Sequence, residues 1–289
     1  MTLWRGLLPA ALAVLFPAGA AAQTTHNPPI TAGTDEPLVL PQGYTKAWSD
    51  EFDRPGLPDP AKWRYDTAFN KQGWFNDELQ YYADARRENT RVEGGRLIIE
   101  ARRERLSDKP DFGGQDYASG KLVTRGVADW QYGFIEVRAK LACGGGVWPA
   151  IWMLASDGKS GWPAMGEIDI MEHVGWDPGR VHGTIHTKAY NHSIGTQKGS
   201  NRIVPDACTA FHNYQLDWTP ERILIGIDGR AHMRFDNDGK ADAATWPFAA
   251  PQYLILNVAI GGWGGQKGID PTAFPARMEV DYVRVWQKH

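Results

Sequence analysis

Three acids fall within one short stretch, Gly166-Glu167-Ile168-Asp169-Ile170-Met171-Glu172. On an extended strand successive side chains point to opposite faces, so Glu167 and Asp169 share one face while Ile168 and Ile170 share the other. Strict alternation would put Met171, not Glu172, beside the first two acids. A β-bulge near Met171, which accommodates one extra residue, returns Glu172 to their side. Like charges on one face repel, a cost that a merely structural strand has no reason to carry. Retaining glycoside hydrolysis has a use for it: one carboxylate attacks the anomeric carbon, and a second carboxyl about 5–5.5 Å away serves as acid and then as base. On that reading Glu167 is the nucleophile, Glu172 the acid/base, and Asp169 holds and polarises its neighbours. Adjacent negative charge would raise the pKa of the acid and keep it protonated at working pH. The same spacing also fits a solvated strand face or a cation site, so the surroundings must decide.

Those surroundings are aromatic. The chain carries 13 Trp and 10 Tyr. Trp148 and Trp152 stand at same-face spacing just before the acids, Trp162 opens the turn into Glu167, and further rings come from Trp74, Tyr81, Tyr82 and Trp263. Sugar rings present flat C–H faces that stack on such side chains, and their hydroxyls need polar partners such as Asn76, Glu78, Gln80 and Arg86. Core packing remains the competing use for any single Trp. Val181-His182-Gly183-Thr184-Ile185-His186 holds two histidines four residues apart. A zinc protease places such a pair on a helix with Glu beside the first His, whereas Gly183 and Thr184 here sit in a strand-like run. On a strand both histidines share a face, which makes His186 a partner for sugar or carboxylate, with a satisfied structural histidine as the alternative.

The elements that must position these groups read as strands. Alternating or β-branched segments recur at Arg96–Ala101, Lys121–Arg125, Phe134–Leu141, Ala150–Leu154, Glu167–Val174, Val181–Thr187, Tyr214–Trp218, Ile223–Ile227, Tyr253–Ile260 and Met278–Trp286. No comparable helical periodicity appears, and Asp228-Gly229 is a hairpin signal. The expected fold class is all-β, an antiparallel sandwich of two sheets with one concave face. Residues 1–22 carry one cation at Arg5, an apolar run from Leu7 to Phe16 and a small-residue stretch, the pattern of a signal peptide cleaved near Ala22/Gln23. Residues 23–41, rich in Pro, Thr, Asn and Gly, read as a linker or loose arm, and residues 42–289 as one domain. An exported protein without a membrane span is expected. A net charge of −3, from 31 basic and 34 acidic residues, offers no field for nucleic acid or anionic lipid and suits a neutral substrate. After export Cys143 and Cys208 would meet oxidising conditions and are expected to pair; a thiol nucleophile is disfavoured because neither has a His or basic cluster beside it in sequence.

At these residues the chain resembles glycoside hydrolase family 16, the laminarinase-like group, from Trp48 to Trp286. The strand Glu167-Ile168-Asp169-Ile170-Met171-Glu172 is similar to the family's bulged signature. Trp48-Ser49-Asp50-Glu51-Phe52, Asn76-Asp77-Glu78-Leu79-Gln80-Tyr81-Tyr82, Trp148-Pro149-Ala150-Ile151-Trp152 and Val280-Asp281-Tyr282-Val283-Arg284-Val285 resemble further blocks in the expected order. The resemblance implies a β-jelly-roll of two curved sheets with a cleft on the concave face, and retaining endo-hydrolysis of β-1,3 or mixed β-1,3-1,4 glucan without a catalytic cofactor. It places Trp148, Trp152 and His186 around the scissile bond and Asn76 and Arg86 on the donor side. It also implies a structural calcium held by Asp281 with backbone oxygens near Glu51 and Gly95. The partner is then a β-glucan polysaccharide and the protein a monomer. A transglycosylase, a hydrolase of another β-glycan, or a non-catalytic glucan-binding module shares this fold, although such modules lose one or both glutamates. The segment Thr187 to Thr196 departs from the plainest laminarinase pattern and contains the glycosylation sequon Asn191-His192-Ser193.

Overall fold

The computed structural model describes residues 30–158 and 160–288. The signal-peptide segment and the first part of the arm lie outside the described residues. Strand β1 is Ile30–Thr31, β2 Tyr44–Asp50, β3 Arg64–Tyr65, β4 Gln80–Tyr82, β5 Thr90–Glu93 and β6 Arg96–Ala101. Then come β7 Tyr117–Ser119, β8 Lys121–Val123, β9 Gly133–Lys140, β10 Val147–Ala155, β11 Glu167–His173 and β12 Arg180–His186. The last six are β13 Lys198–Ile203, β14 His212–Trp218, β15 Arg222–Ile227, β16 Arg230–Asp236, β17 Gln252–Ile260 and β18 Ala276–Lys288. Among the described residues only short 3₁₀ turns interrupt them, at His192–Ile194, Gly262–Gly265 and Pro271–Ala273.

Two large sheets result, the sandwich that the alternating segments imply. The first runs β1-β13-β12-β11-β10-β17-β8-β3; the second runs β16-β15-β14-β9-β18-β6-β5, with β2 also paired to β18. Pairing is antiparallel except for two short parallel pairs, β1 with β13 and β4 with β7, which the all-antiparallel expectation did not include. Alternation makes one face of each strand apolar, and these faces meet in a core that holds Ile151, Met153, Ile168, Ile185, Leu254 and Leu256 from the first sheet. Val137, Leu216, Ile225, Met278 and Val283 come from the second. Each such side chain, removed from water, contributes about 1.5–3 kcal/mol to folding.

Residues 30–41 are not a loose arm. Their Pro and Gly content hides a set of isolated pairings with residues far along the chain: β1 lies along Lys198–Gly199, Gly33 bridges Met233 and Pro37 bridges Arg230. Leu38 is buried with Phe134, Leu224 and Ala231, and Asp35 takes ion pairs from Arg202 at 2.7 Å and Arg230 at 2.6 Å. Cys143 and Cys208 form a disulfide that closes a 65-residue separation beside the loop leading into β10. No helix among the described residues is long and apolar enough to cross a membrane.

Candidate active site

The three acids lie on β11, and the register of its neighbours shows how they come to one face. Toward β10, Trp152 stands opposite Asp169 but Ile151 stands opposite Met171, so Ile170 is the extra residue. Toward β12, Asp169 faces Thr184 and Glu172 faces His182, three residues against two. Ile168, Ile170 and Met171 are fully buried in the core, and Glu167, Asp169 and Glu172 point the other way. The bulge thus sits one residue earlier than Met171 alone and has the effect that the acid spacing requires.

Each carboxyl has a distinct set of partners. The Trp162 indole N–H donates to Glu167 Oε2 at 2.9 Å, and the Trp148 indole N–H donates to Glu172 Oε1 at 3.1 Å. His186 Nε2 lies 3.4 Å from Asp169 Oδ2 and 3.7 Å from Glu167 Oε1. The cluster Glu167, Asp169 and His186 resembles a cation set in composition, and the Trp162 indole N–H already donates to its Glu167 member.

Burial raises all three carboxyls above the ordinary range. Glu172 is pushed up to about 7 and Glu167 to about 8 by desolvation, while Asp169 is raised well above its usual value by desolvation and by both neighbours. The larger rise on Glu167 includes repulsion from a charged Glu172. Once Glu172 holds a proton that repulsion vanishes, and the remaining neighbours of Glu167 all favour its charge: the Trp162 N–H, a hydrogen bond with Asp169, and Lys121. A protonated Asp169 is the donor in that bond, which is why the bond raises Asp169 and lowers Glu167. The three groups therefore titrate together.

Further rings adjoin the tryptophans that reach the acids. Trp148 is edge-on to Trp263 at 5.9 Å, Trp263 is 4.8 Å from His182, and the Trp152 indole donates to Asn257 Oδ1 at 2.7 Å. Asn76 sits in a left-handed conformation with φ 59°, and its carbonyl oxygen packs so closely on Gly262 that a Cβ there would meet it at 2.6 Å and Trp148 at 3.0 Å. Gly262, with φ 50°, is required for both reasons. Arg86 is not brought to the acids. Its guanidinium is held by Asn89 at 2.6 Å and Glu104 at 2.7 Å, at the entry to β5 in the other sheet, where its charge is locally matched.

Several neighbours escaped the sequence reading. Lys121 on β8 is buried, pairs with Asp66 at 3.1 Å, and stands over Trp74 at 4.4 Å and Trp152 at 5.2 Å. In sequence it is an ordinary strand lysine. Asn257, a polar residue within the apolar run Tyr253–Ile260, did carry a signal. It donates to Tyr82 Oη at 2.9 Å, and Tyr82 donates to Glu78, whose carboxyl burial also raises. His192, carried by the unusual segment after β12, packs on Trp162 at 4.8 Å and on His186 at 5.1 Å. Asn191 of the sequon is buried, with its amide donating to the Thr187 and Lys188 carbonyls, so it offers no accessible glycan acceptor. A hollow of about 380 Å³ beside β3, lined by Trp63, Arg64, Tyr65 and Asp84 among others, gathers no converging carboxyls and lies apart from the acids.

At the calcium position, β6 and β2 pair with the same edge of β18, ending at Val280 and beginning at Val283, so Gly95 and Glu51 approach Asp281 from either side. A carboxylate with flanking backbone carbonyls is a hard-oxygen set that suits calcium, although Asp281 already faces Arg138 at 3.5 Å.

Residues 74–284 match the family described as Glycosyl hydrolases family 16. The chain belongs to glycosyl hydrolase family 16. It is 56% identical over 263 residues to a beta-glucanase of Rhodothermus marinus, covering 88% of this chain and 89% of the relative. A solved structure of SCLam, a non-specific endo-beta-1,3(4)-glucanase of the family, superposes with a TM-score of 0.88 at 66% identity, over 90% of this chain and 97% of that one. A mutant of SCLam with Ser in place of a Glu holds 1,3-beta-D-cellobiosyl-glucose at its active site. The laminarinase from Rhodothermus marinus superposes with a TM-score of 0.80 at 55% identity, over 84% of this chain and 97% of that one. The family 16 jelly-roll is thus the architecture of this chain.

Proposed function

We propose that this family 16 chain is an exported retaining endo-β-glucanase that cleaves β-1,3 and mixed β-1,3-1,4 glucan by double displacement, working as a monomer. The observation that carries the reading is the bulge at Ile170, which gathers three carboxyls on one face between Trp148, Trp152 and Trp162. In the first step the Glu167 carboxylate attacks the anomeric carbon. The glycosidic C–O bond breaks, and its electron pair goes to the departing oxygen, which takes the proton from Glu172. In the second, Glu172 removes a proton from water, the water oxygen attacks the anomeric carbon, and the ester to Glu167 breaks to regenerate both carboxyls. Asp169 keeps its proton directed at Glu167, and His186 holds Asp169 in place. The Trp148 indole, donating to Oε1, and the Thr184 hydroxyl hold the Glu172 carboxyl in place for the proton transfer. Trp152, Trp263 and Asn76 contact sugar units beside the cleaved bond. A calcium at Asp281 would tie β18 to the turns at Glu51 and Gly95 and supply stability, not chemistry; a chelator that leaves the melting temperature unchanged rules it out.

The deciding experiment is one panel of laminarin, barley glucan, agarose, carrageenan and xyloglucan, read by product chain length for the wild type and Glu167→Ala. Release of short oligosaccharides from laminarin and barley glucan, abolished in Glu167→Ala, is expected. Binding without release points to a glucan-binding module, and longer products than substrates point to a transglycosylase. Initial product of α configuration overturns the retaining mechanism.

A further inference from the structure

Beyond the acids, a row of rings leaves the cleft. Trp152 is 5.2 Å from Lys121, Lys121 is 4.4 Å from Trp74, Trp74 is 5.6 Å from Phe69, and Phe69 is 4.7 Å from Phe75. The inner members are covered to different degrees, but the last two are open: Phe69 is 39% and Phe75 63% exposed. Two neighbouring phenylalanines in water at the end of an aromatic row have no part in the core.

The segment that shows them is not loose. The Trp74 indole donates to Asn70 Oδ1 at 3.0 Å, Gly73 N–H to the Phe69 carbonyl at 2.9 Å, and Glu78 N–H to the Phe75 carbonyl at 3.2 Å. Leu79 N–H donates to the Ile260 carbonyl at 2.8 Å and Gly262 N–H to the Asp77 carbonyl at 3.1 Å, which pins the segment to the cleft rim. Directly after Phe75, Asn76 and Asp77 both hold left-handed backbone, with φ 59° and 58°. Two successive non-glycine residues in that region cost free energy, and the fold sustains it while leaving Phe75 in water. Such strain, with rigid apolar rings continuous with a polysaccharide cleft, is preorganisation for a ligand.

We propose that Phe69 and Phe75 form an outer β-glucan subsite that takes the apolar face of a glucosyl unit beyond Trp74. The edge-to-face pair, with an interplanar angle of 61°, offers one ring as a flat platform and fixes it with the other. The subsite rests on the glucan reading above. It adds affinity for chains long enough to reach from the acids to the loop, and gives nothing to short ones.

The test compares wild type, Phe75→Ser, Phe69→Ser/Phe75→Ser and Phe75→Trp. Affinity is read by retardation in gels containing laminarin, which needs no turnover, and by KM on laminarin against laminaritriose. The serine variants are expected to lose retardation and to show a KM on laminarin raised about two- to tenfold, the size of one lost aromatic contact, with a far smaller change on the trisaccharide. Phe75→Trp is expected to retain or exceed wild-type retardation. Unchanged retardation and KM on laminarin in the double variant overturn the subsite, as does an equal loss on both substrates. A wild type that is retarded but cleaves nothing sinks the enzymatic reading and leaves the platform standing if the serine variants lose retardation.

Discussion

A buried carboxylate is costly unless a proton or a donor compensates it, and at Glu167, Asp169 and Glu172 both devices are in use. Activity needs Glu167 ionised and Glu172 protonated, so the rate against pH should be bell-shaped, with burial carrying both limbs above the ordinary carboxyl range. Trp162→Phe removes a donor to the charged form of Glu167. Its pKa then rises, and the acid limb of kcat/KM should move to higher pH. Glu172→Gln should lose about 10²–10⁴ in rate on polysaccharide. The same protons have a stability consequence. The folded state holds protons that the unfolded chain releases above the ordinary carboxyl range, so these groups lower stability as pH rises from about 4 toward 8. Asp169→Asn should therefore melt higher than wild type at pH 8, with a smaller difference at pH 4.5, while kcat falls. A difference that grows toward low pH would contradict the assigned protonation.

At the scale of an element, β11 carries one surplus residue. Deleting Ile170 restores regular pairing and leaves Glu167-Ile168-Asp169-Met171-Glu172, in which plain alternation keeps Glu172 on the face of the other two acids and turns Met171 to the core. Hydrolysis is therefore expected to survive the deletion, with stability lowered by the loss of the buried Ile170 side chain, measured by product release and by the denaturant midpoint. The segment after β12 matters through its ring. His192→Ala removes the nearer of the two histidine rings, His192 and His186, that pack on Trp162, and kcat/KM should fall while His192→Phe recovers most of it. The acids and their strand were legible from alternation and spacing, since a period of two is a local property. His192 and Lys121 were not, because what makes them part of the site is β12 lying beside β11 and β8 lying beside β17, while Asn257 showed only as a polar residue in an apolar run.

Across the whole molecule, two devices tie distant segments together. Reduction of Cys143–Cys208 frees a 65-residue loop and should lower stability by about 4 kcal/mol, seen as a drop in melting temperature with reductant. Removal of residues 1–41 uncovers Leu38's neighbours Phe134 and Leu224 and leaves Arg202 and Arg230 without Asp35. A loss of about 2 kcal/mol is expected from the apolar contact alone. Truncation without effect on the melting curve would restore the reading of that segment as a loose arm.

From the sequence by itself came the strand periods, the three acids, the demand for a bulge and the aromatic setting, all of which follow from side chains within a few residues of one another. Only the tertiary structure decided that Arg86 is matched by Glu104 at the entry to the other sheet, that residues 30–41 lie along β13 and β16, and that Phe69 and Phe75 end a row of rings leading away from Trp152. The reason is physical. A charge or a ring has no fixed role until its neighbours are known, and in a sandwich whose adjacent strands come from remote parts of the chain, those neighbours are set by pairing rather than by sequence order.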